Sequence, residues 1–262
     1  EAALAECRGE QTPSDPPVDP PDEPDAGWKL LTSLARVKDW DGVLNRAPGS
    51  TITDEDDGSI RLYEPNRGER CELQLNNKRL TEGVTARYSW DVWISPDTQL
   101  DPSGGGTDTI CQQHGSKSAS GQTSGYGGGL TIRARDRMLI LRAKGGKLLS
   151  SKGAHRYIYE SDGQGGGADG KGKGVKEPAS RVECGIVTFG EWHRITVEAR
   201  WSKQWDGHVI AQLDNNAPVG VRDVPTFCEP ADVQMFRLGW YSSDGPVPKD
   251  MRIRNAKVEV RA

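Results

Sequence analysis

The chain has 262 residues, of which 34% are hydrophobic and 27% charged, and carries a formal net charge of −4. That balance gives no overall attraction for nucleic acid or any other polyanion, so an acidic partner would have to be held by local basic groups. The 32 glycines and 16 prolines are too many for a helical protein and suit strands joined by turns, and no apolar run approaches the ~18 residues that a membrane-spanning helix requires.

The opening EAALAEC shows no signal-peptide pattern, and Glu6 before Cys7 argues against lipid attachment. Residues 8–27, RGEQTPSDPPVDPPDEPDAG, are dominated by Pro and Asp. Such a segment has little to bury and predicts an extended linker over 1–27, with the folded domain running from 28 to 262.

Strand signals then follow one another: 59–65, 70–76, 86–95, 129–136, 137–143, 193–202, 207–214, 233–242 and 251–262, with TICQQHG (109–115) as a further β-like run. Each alternates polar and apolar residues or is rich in β-formers. Turn chemistry separates them at NNK, RDR, WDG and DNNAP. With no amphipathic crossover helix between strands, the pattern predicts an all-β protein, a two-sheet jelly-roll sandwich of concanavalin-like type. Two Gly-rich stretches, SGQTSGYGGG (120–129) and the segment 160–181, read as long loops. The second carries Lys171, Lys173 and Lys176 and reads either as a solvated flexible insert or as a flap over an anionic ligand.

Five cysteines, Cys7, Cys71, Cys111, Cys184 and Cys228, show no C-x-x-C spacing, which argues against zinc. Scattered cysteines in a Gly-rich β chain predict one or two disulfides and a secreted, extracellular or periplasmic location.

Alternation assigns faces. In RCELQL, Cys71, Leu73 and Leu75 share a core face, and Arg70, Glu72 and Gln74 share the other. In TICQQHG, Gln112 and His114 point one way, Cys111 and Gln113 the other. If Cys111 faces the core as Cys71 does, the two are candidates for a disulfide. In VQMFRLGWYS, Phe236, Leu238 and Trp240 form an apolar side, with Arg237, Gly239 and Tyr241 opposite. Taken singly, these polar groups could be a surface ion pair, a structural histidine and a packing tyrosine. Gathered on one sheet they suit a specific reaction, β-elimination across a uronic acid. The carboxylate is neutralised by donors such as Gln112 and an Arg. A base, His114 or Tyr241, takes the C5 proton, and Tyr241 protonates the departing O4. A tyrosine serves in this way with a cation close by, and Arg237 on the same face is the sequence candidate.

The motifs RCEL, QQHG and FRLGWY, with the hairpin GEWHRITVEARWSKQWDGHVIAQLDN, together resemble the jelly-roll polysaccharide lyases of the glucuronan lyase and heparin lyase I type, over most of 28–262. The resemblance implies His114 as base or carboxylate-site partner, Tyr241 as acid, and Arg70 and Gln112 at the carboxylate. Arg237 stands where the heparin lyase pattern has Lys, and Trp240 where Ile is usual. His193 reads as structural. Glu72, Arg237, Trp93, Tyr126, Lys171, Lys173 and Trp205 complete the expected substrate-binding set. The resemblance implies no required cofactor. Some relatives bind structural calcium, for which Asp214 and Glu229 are the candidate contributors here. The expected partner is an anionic polysaccharide, acted on by a monomer, with no nucleic acid and no membrane insertion. The competing readings are a non-catalytic carbohydrate-binding or adhesion module, since fold does not fix function, and a retaining glycoside hydrolase, for which the carboxylate strand Glu-x-Asp-x-x-Glu is missing.

Overall fold

The computed structural model describes residues 27–45, 48–66, 70–76, 80–102, 108–115, 126–150, 156–160, 182–228, 234–241 and 246–261. In chain order the strands are β1 (Lys29–Ser33), β2 (Gly42–Asn45), β3 (Thr51–Asp54), β4 (Ile60–Glu64), β5 (Arg70–Leu75) and β6 (Thr85–Ile94). There follow β7 (Thr109–Gly115), β8 (Tyr126–Arg133), β9 (Met138–Ser150), β10 (Arg156–Glu160) and β11 (Val182–Ile186). The last five are β12 (Trp192–Arg200), β13 (Gly207–Leu213), β14 (Val219–Val224), β15 (Gln234–Tyr241) and β16 (Lys249–Arg261). One turn of 3-10 helix, Val37–Asp39, is the only helix among the described residues.

The strands form two antiparallel sheets of eight. The back sheet runs β14-β13-β12-β6-β16-β4-β3 with β1 beside β16; the front sheet runs β10-β9-β8-β7-β15-β5-β2 with β11 beside β9. This is the expected jelly-roll sandwich. Its core lies where the inner faces meet, because alternation gives each strand one apolar side. Tyr88 and Trp90 of β6 reach across to Phe236 of β15, with ring centroids 4.7 and 5.8 Å apart. Trp201 donates its indole N–H to the Tyr88 hydroxyl at 3.0 Å, satisfying a polar group that burial would otherwise penalise.

Several expectations are corrected. Strands β1, β2, β3, β10, β11 and β14 are short edge or near-edge elements without clear alternation, which is why their sequences do not announce them. The stretch 120–129 is not all loop: from Tyr126 onward it is strand β8. Glycine there reflects crowding, since a Cβ on Gly128 would sit 2.9 Å from the buried Gln113 Oε1. The segment 161–181 and the proposed linker lie outside the described residues.

The expected disulfide is absent. Cys71, Cys111, Cys184 and Cys228 are buried and form no disulfide; Cys7 lies outside the described residues. Cys71 and Cys111 do face the core, but β15 runs between their strands, with Cys71 opposite Trp240 and Cys111 opposite Leu238. Two strand spacings are about 9.6 Å, beyond the ~7 Å that a disulfide can bridge. Alternation reports which face a residue occupies, not which strands adjoin.

Candidate active site

The outer face of the front sheet collects the polar sides of β5, β15 and β7. In β5, Cys71 and Leu73 are fully buried on the core side, so Arg70, Glu72 and Gln74 must point outward. In β15, Phe236, Leu238 and Trp240 fill the core and turn Arg237 and Tyr241 the same way. Register then sets the rows across the sheet: Tyr241 faces Arg70, Gly239 faces Glu72, and Arg237 faces Gln74 on one side and Gln112 on the other.

Glu72 is the hub. Its side chain is 1% exposed, yet both oxygens are engaged. Arg70 Nη1 donates to Oε2 at 2.8 Å and Gln112 Nε2 donates to Oε1 at 3.1 Å. The carboxylate thus fixes a guanidinium and a primary amide beside each other. Each donor keeps N–H groups that Glu72 does not use. Glu72, expected as a substrate contact, is thus buried and holds the Arg70 and Gln112 side chains in place.

The Arg70 guanidinium lies 4.3 Å from the centroid of the Tyr241 ring. The cation beside the phenol is thus Arg70 rather than the expected Arg237. Arg237 instead donates from Nε to Gln74 Oε1 at 2.8 Å. At this end of the sheet Thr109 faces Tyr241, and Asp108 just before it pairs with Lys249, both buried. That ion pair ties the start of β7 to β16 of the other sheet.

His114 lies in β7 with its Cα opposite Met235 and Tyr126; the side chains of His114 and Tyr126 are outside the described set. Met235 and Tyr241 stand at opposite ends of β15, on the order of 20 Å apart along the strand at ~3.3 Å per residue. Trp93 belongs elsewhere: it is on β6, facing Trp192 and Arg252 on the outside of the back sheet. Trp205, 50% exposed, sits in the turn between β12 and β13 of that same sheet. Lys171 and Lys173 are outside the described residues. His193 also belongs to the back sheet. Its Nδ1 meets Asp214 at 2.7 Å and its Nε2 lies 3.0 Å from the Thr188 backbone nitrogen. Asp214 further accepts from the Arg194 N–H at 2.7 Å, so its carboxylate is taken up by the hairpin. Glu229 lies outside the described residues, and among those described no group of three or more acidic, His or Cys side chains is placed to hold a metal.

One outward residue was missed from sequence. Arg142 of β9 shares the polar face, because Leu139, Leu141 and Ala143 occupy the core side. The alternation of RMLILRAK carries that signal, but only the strand order shows which neighbours Arg142 has.

The outer face of this antiparallel jelly roll thus gathers an arginine, an amide and a phenol around a buried carboxylate. The sequence profile of the polysaccharide lyase family matches residues 35–256, and the chain belongs to that family: it is a jelly-roll polysaccharide lyase. No curated protein is matched by the sequence. Among solved structures, the endo-β-1,4-glucuronan lyase of the fungus Trichoderma reesei superimposes with a TM-score of 0.63 at 14% identity, covering 88% of this chain and 95% of its own. The PL-14 alginate lyase of Aplysia kurodai gives 0.54 at 11% identity, covering 88% and 98%. The alginate lyase vAL-1 of a Chlorella virus gives 0.51 at 13% identity, covering 88% and 99%. At these identities the superpositions speak for the fold.

Proposed function

We propose that this lyase is secreted and cleaves within a uronic-acid polysaccharide, a glucuronan-like chain, by β-elimination. The observation that carries the reading is the Glu72 clamp, which holds Arg70 and Gln112 as a donor pair, with Arg70 lying against the Tyr241 ring. A substrate carboxylate bound by the spare N–H groups of Arg70 and Gln112 loses much of its negative charge, which makes the C5 proton removable. Tyr241, as phenolate, takes that proton. The C5 electron pair forms the C4=C5 double bond, the C4–O4 bond breaks, and Tyr241 returns the proton to O4. Arg70 supplies positive charge beside the ring throughout. Both transfers are assigned to Tyr241 because its ring lies against the Arg70 guanidinium, whereas the Cα of His114 sits opposite Met235 toward the other end of β15. The chemistry uses protein donors and acceptors alone, and a polymeric substrate places the enzyme outside the cytoplasm.

The test is incubation with glucuronan, alginate and heparin, following absorbance of the unsaturated 4,5-bond. Signal on a polyuronate is expected, with Tyr241→Phe lowering kcat by roughly 10²–10⁴-fold, the usual worth of a positioned acid–base group. Full activity in Tyr241→Phe would remove the assignment; binding of glycans without any unsaturated product would replace it with a carbohydrate-binding role.

A further inference from the structure

A single transverse row crosses six strands of the front sheet: Gly42, Gln74, Arg237, Gln112, Gly129 and Arg142 are successive register partners. Register partners on adjoining strands share a face, so Arg142 lies on the same side as the Glu72-clamped amide. Between Gln112 and Arg142 stands Gly129, which has no side chain. The row therefore carries no side chain at that point, where Gly129 is itself buried, flanked by an amide on one side and a guanidinium on the other. Arg142 differs from the other arginines of this face. Arg70 is paired with Glu72, and Arg237 with Gln74. Arg142 forms no ion pair among the described residues, and its Nε is buried without a hydrogen-bond partner among them. A buried guanidinium N–H left unsatisfied is costly unless something else completes it.

We propose that Arg142 binds a second carboxylate of the same acidic glycan, at a subsite beyond the cleavage point. This rests on the polyuronate reading above and extends it. Gln112 and Arg142 are two strand spacings apart, roughly 10 Å, a separation of the order of two linked pyranose rings. In an extended polyuronate, carboxylates that point to the same side recur on alternate sugars. One would meet Gln112 and Arg70, the next Arg142, with the intervening ring spanning the gap between them. The planar fork of arginine suits a carboxylate in a way that a lysine ammonium does not. The site thus reads an acidic chain rather than a single acidic sugar, as an endo-acting enzyme must.

The experiment compares wild type, Arg142→Gln and Arg142→Lys on glucuronan oligosaccharides of increasing length, by initial rates of unsaturated product and by calorimetric binding. For Arg142→Gln, KM and Kd for long oligomers should rise roughly tenfold, the loss of about one charge-assisted hydrogen bond. Values for the shortest cleavable oligomer and kcat throughout should stay within about twofold of wild type. Arg142→Lys should recover part of the affinity. Equal KM and Kd across lengths in Arg142→Gln, or a kcat loss independent of length, would overturn the subsite. Should wild type cleave no polyuronate, the lyase reading fails first; if wild type then still binds the oligomers and Arg142→Gln binds them as tightly, the subsite fails as well.

Discussion

Replacing Glu72 by Gln tests whether the buried carboxylate organises the site. The substitution keeps size and removes charge. Glu72 accepts 2.8 and 3.1 Å hydrogen bonds from Arg70 and Gln112, and such bonds to an ionised group contribute about 1.5–3 kcal/mol each. A glutamine retains one acceptor oxygen, so one bond survives in weakened form while its amide N–H₂ faces the second donor. Breaking a fully buried pair costs about 3–5 kcal/mol. The Arg70 side chain is 17% exposed, however, and its orphaned charge relaxes partly into water. About 2 kcal/mol of lost stability is expected, near 5 °C in Tm for a domain of this size. Activity should fall further than stability, with kcat down by about tenfold or more, because the amide is no longer aimed. Urea unfolding and polyuronate assays at one pH measure both. A double-mutant cycle with Gln112→Ala should show coupling of about 1 kcal/mol. A stability change under about 0.5 kcal/mol with unaltered kcat would refute the clamp.

Two further expectations concern the rest of the molecule. Burial, aided by the nearby Glu64 and Glu72 charges, pushes the Cys71 thiol up to about 12, and burial pushes Cys184 up to about 12 as well. Native protein at pH 8 should therefore resist iodoacetamide at Cys71, Cys111, Cys184 and Cys228 and label there in urea, by peptide mass spectrometry, while reductant leaves Tm unchanged. At His193 burial alone would lower the imidazole pKa, but the hydrogen bond and charge of Asp214, with Thr188 and Glu191, raise it on balance. A raised folded pKa means that its contribution is full below the ordinary histidine value near 6.5 and is lost as pH rises through the folded value. Between wild type and His193→Gln, the stability difference should accordingly shrink from pH 5.5 to pH 8; a difference that grows with pH would contradict the Asp214 pairing.

Much of this architecture is legible in residue order. The alternation of β5, β7 and β15 sorts Arg70, Glu72, Gln112, Arg237 and Tyr241 onto one face, because period two leaves no other choice. What alternation lacks is lateral order. It could not show that β15 separates Cys71 from Cys111, that Arg70 rather than Arg237 meets the phenol, or that Arg142 stands two strands from Gln112. Trp93 illustrates the same limit: its outward orientation is readable from β6, but not the sheet it belongs to. Glycine misled in a different way. The GGG of β8 has the composition of a loop, yet it is a strand, and at Gly128 the Gln113 side chain occupies the room a Cβ would need.

Gly239 lies in this strand system with a φ of 138°, where a Cβ would collide with the Cys71 carbonyl. Past it β15 keeps step with β5, Tyr241 still opposite Arg70, but slips against β7, where Leu238 meets Cys111 and Tyr241 meets Thr109. The phenol therefore keeps register with β5, while Gln112 rides on β7 and is tied back to β5 through Glu72. A shear of β7 against β5 would be resisted by the Glu72–Gln112 hydrogen bond, and under the lyase reading proposed above the dislocation at Gly239 sets the spacing between phenol and amide.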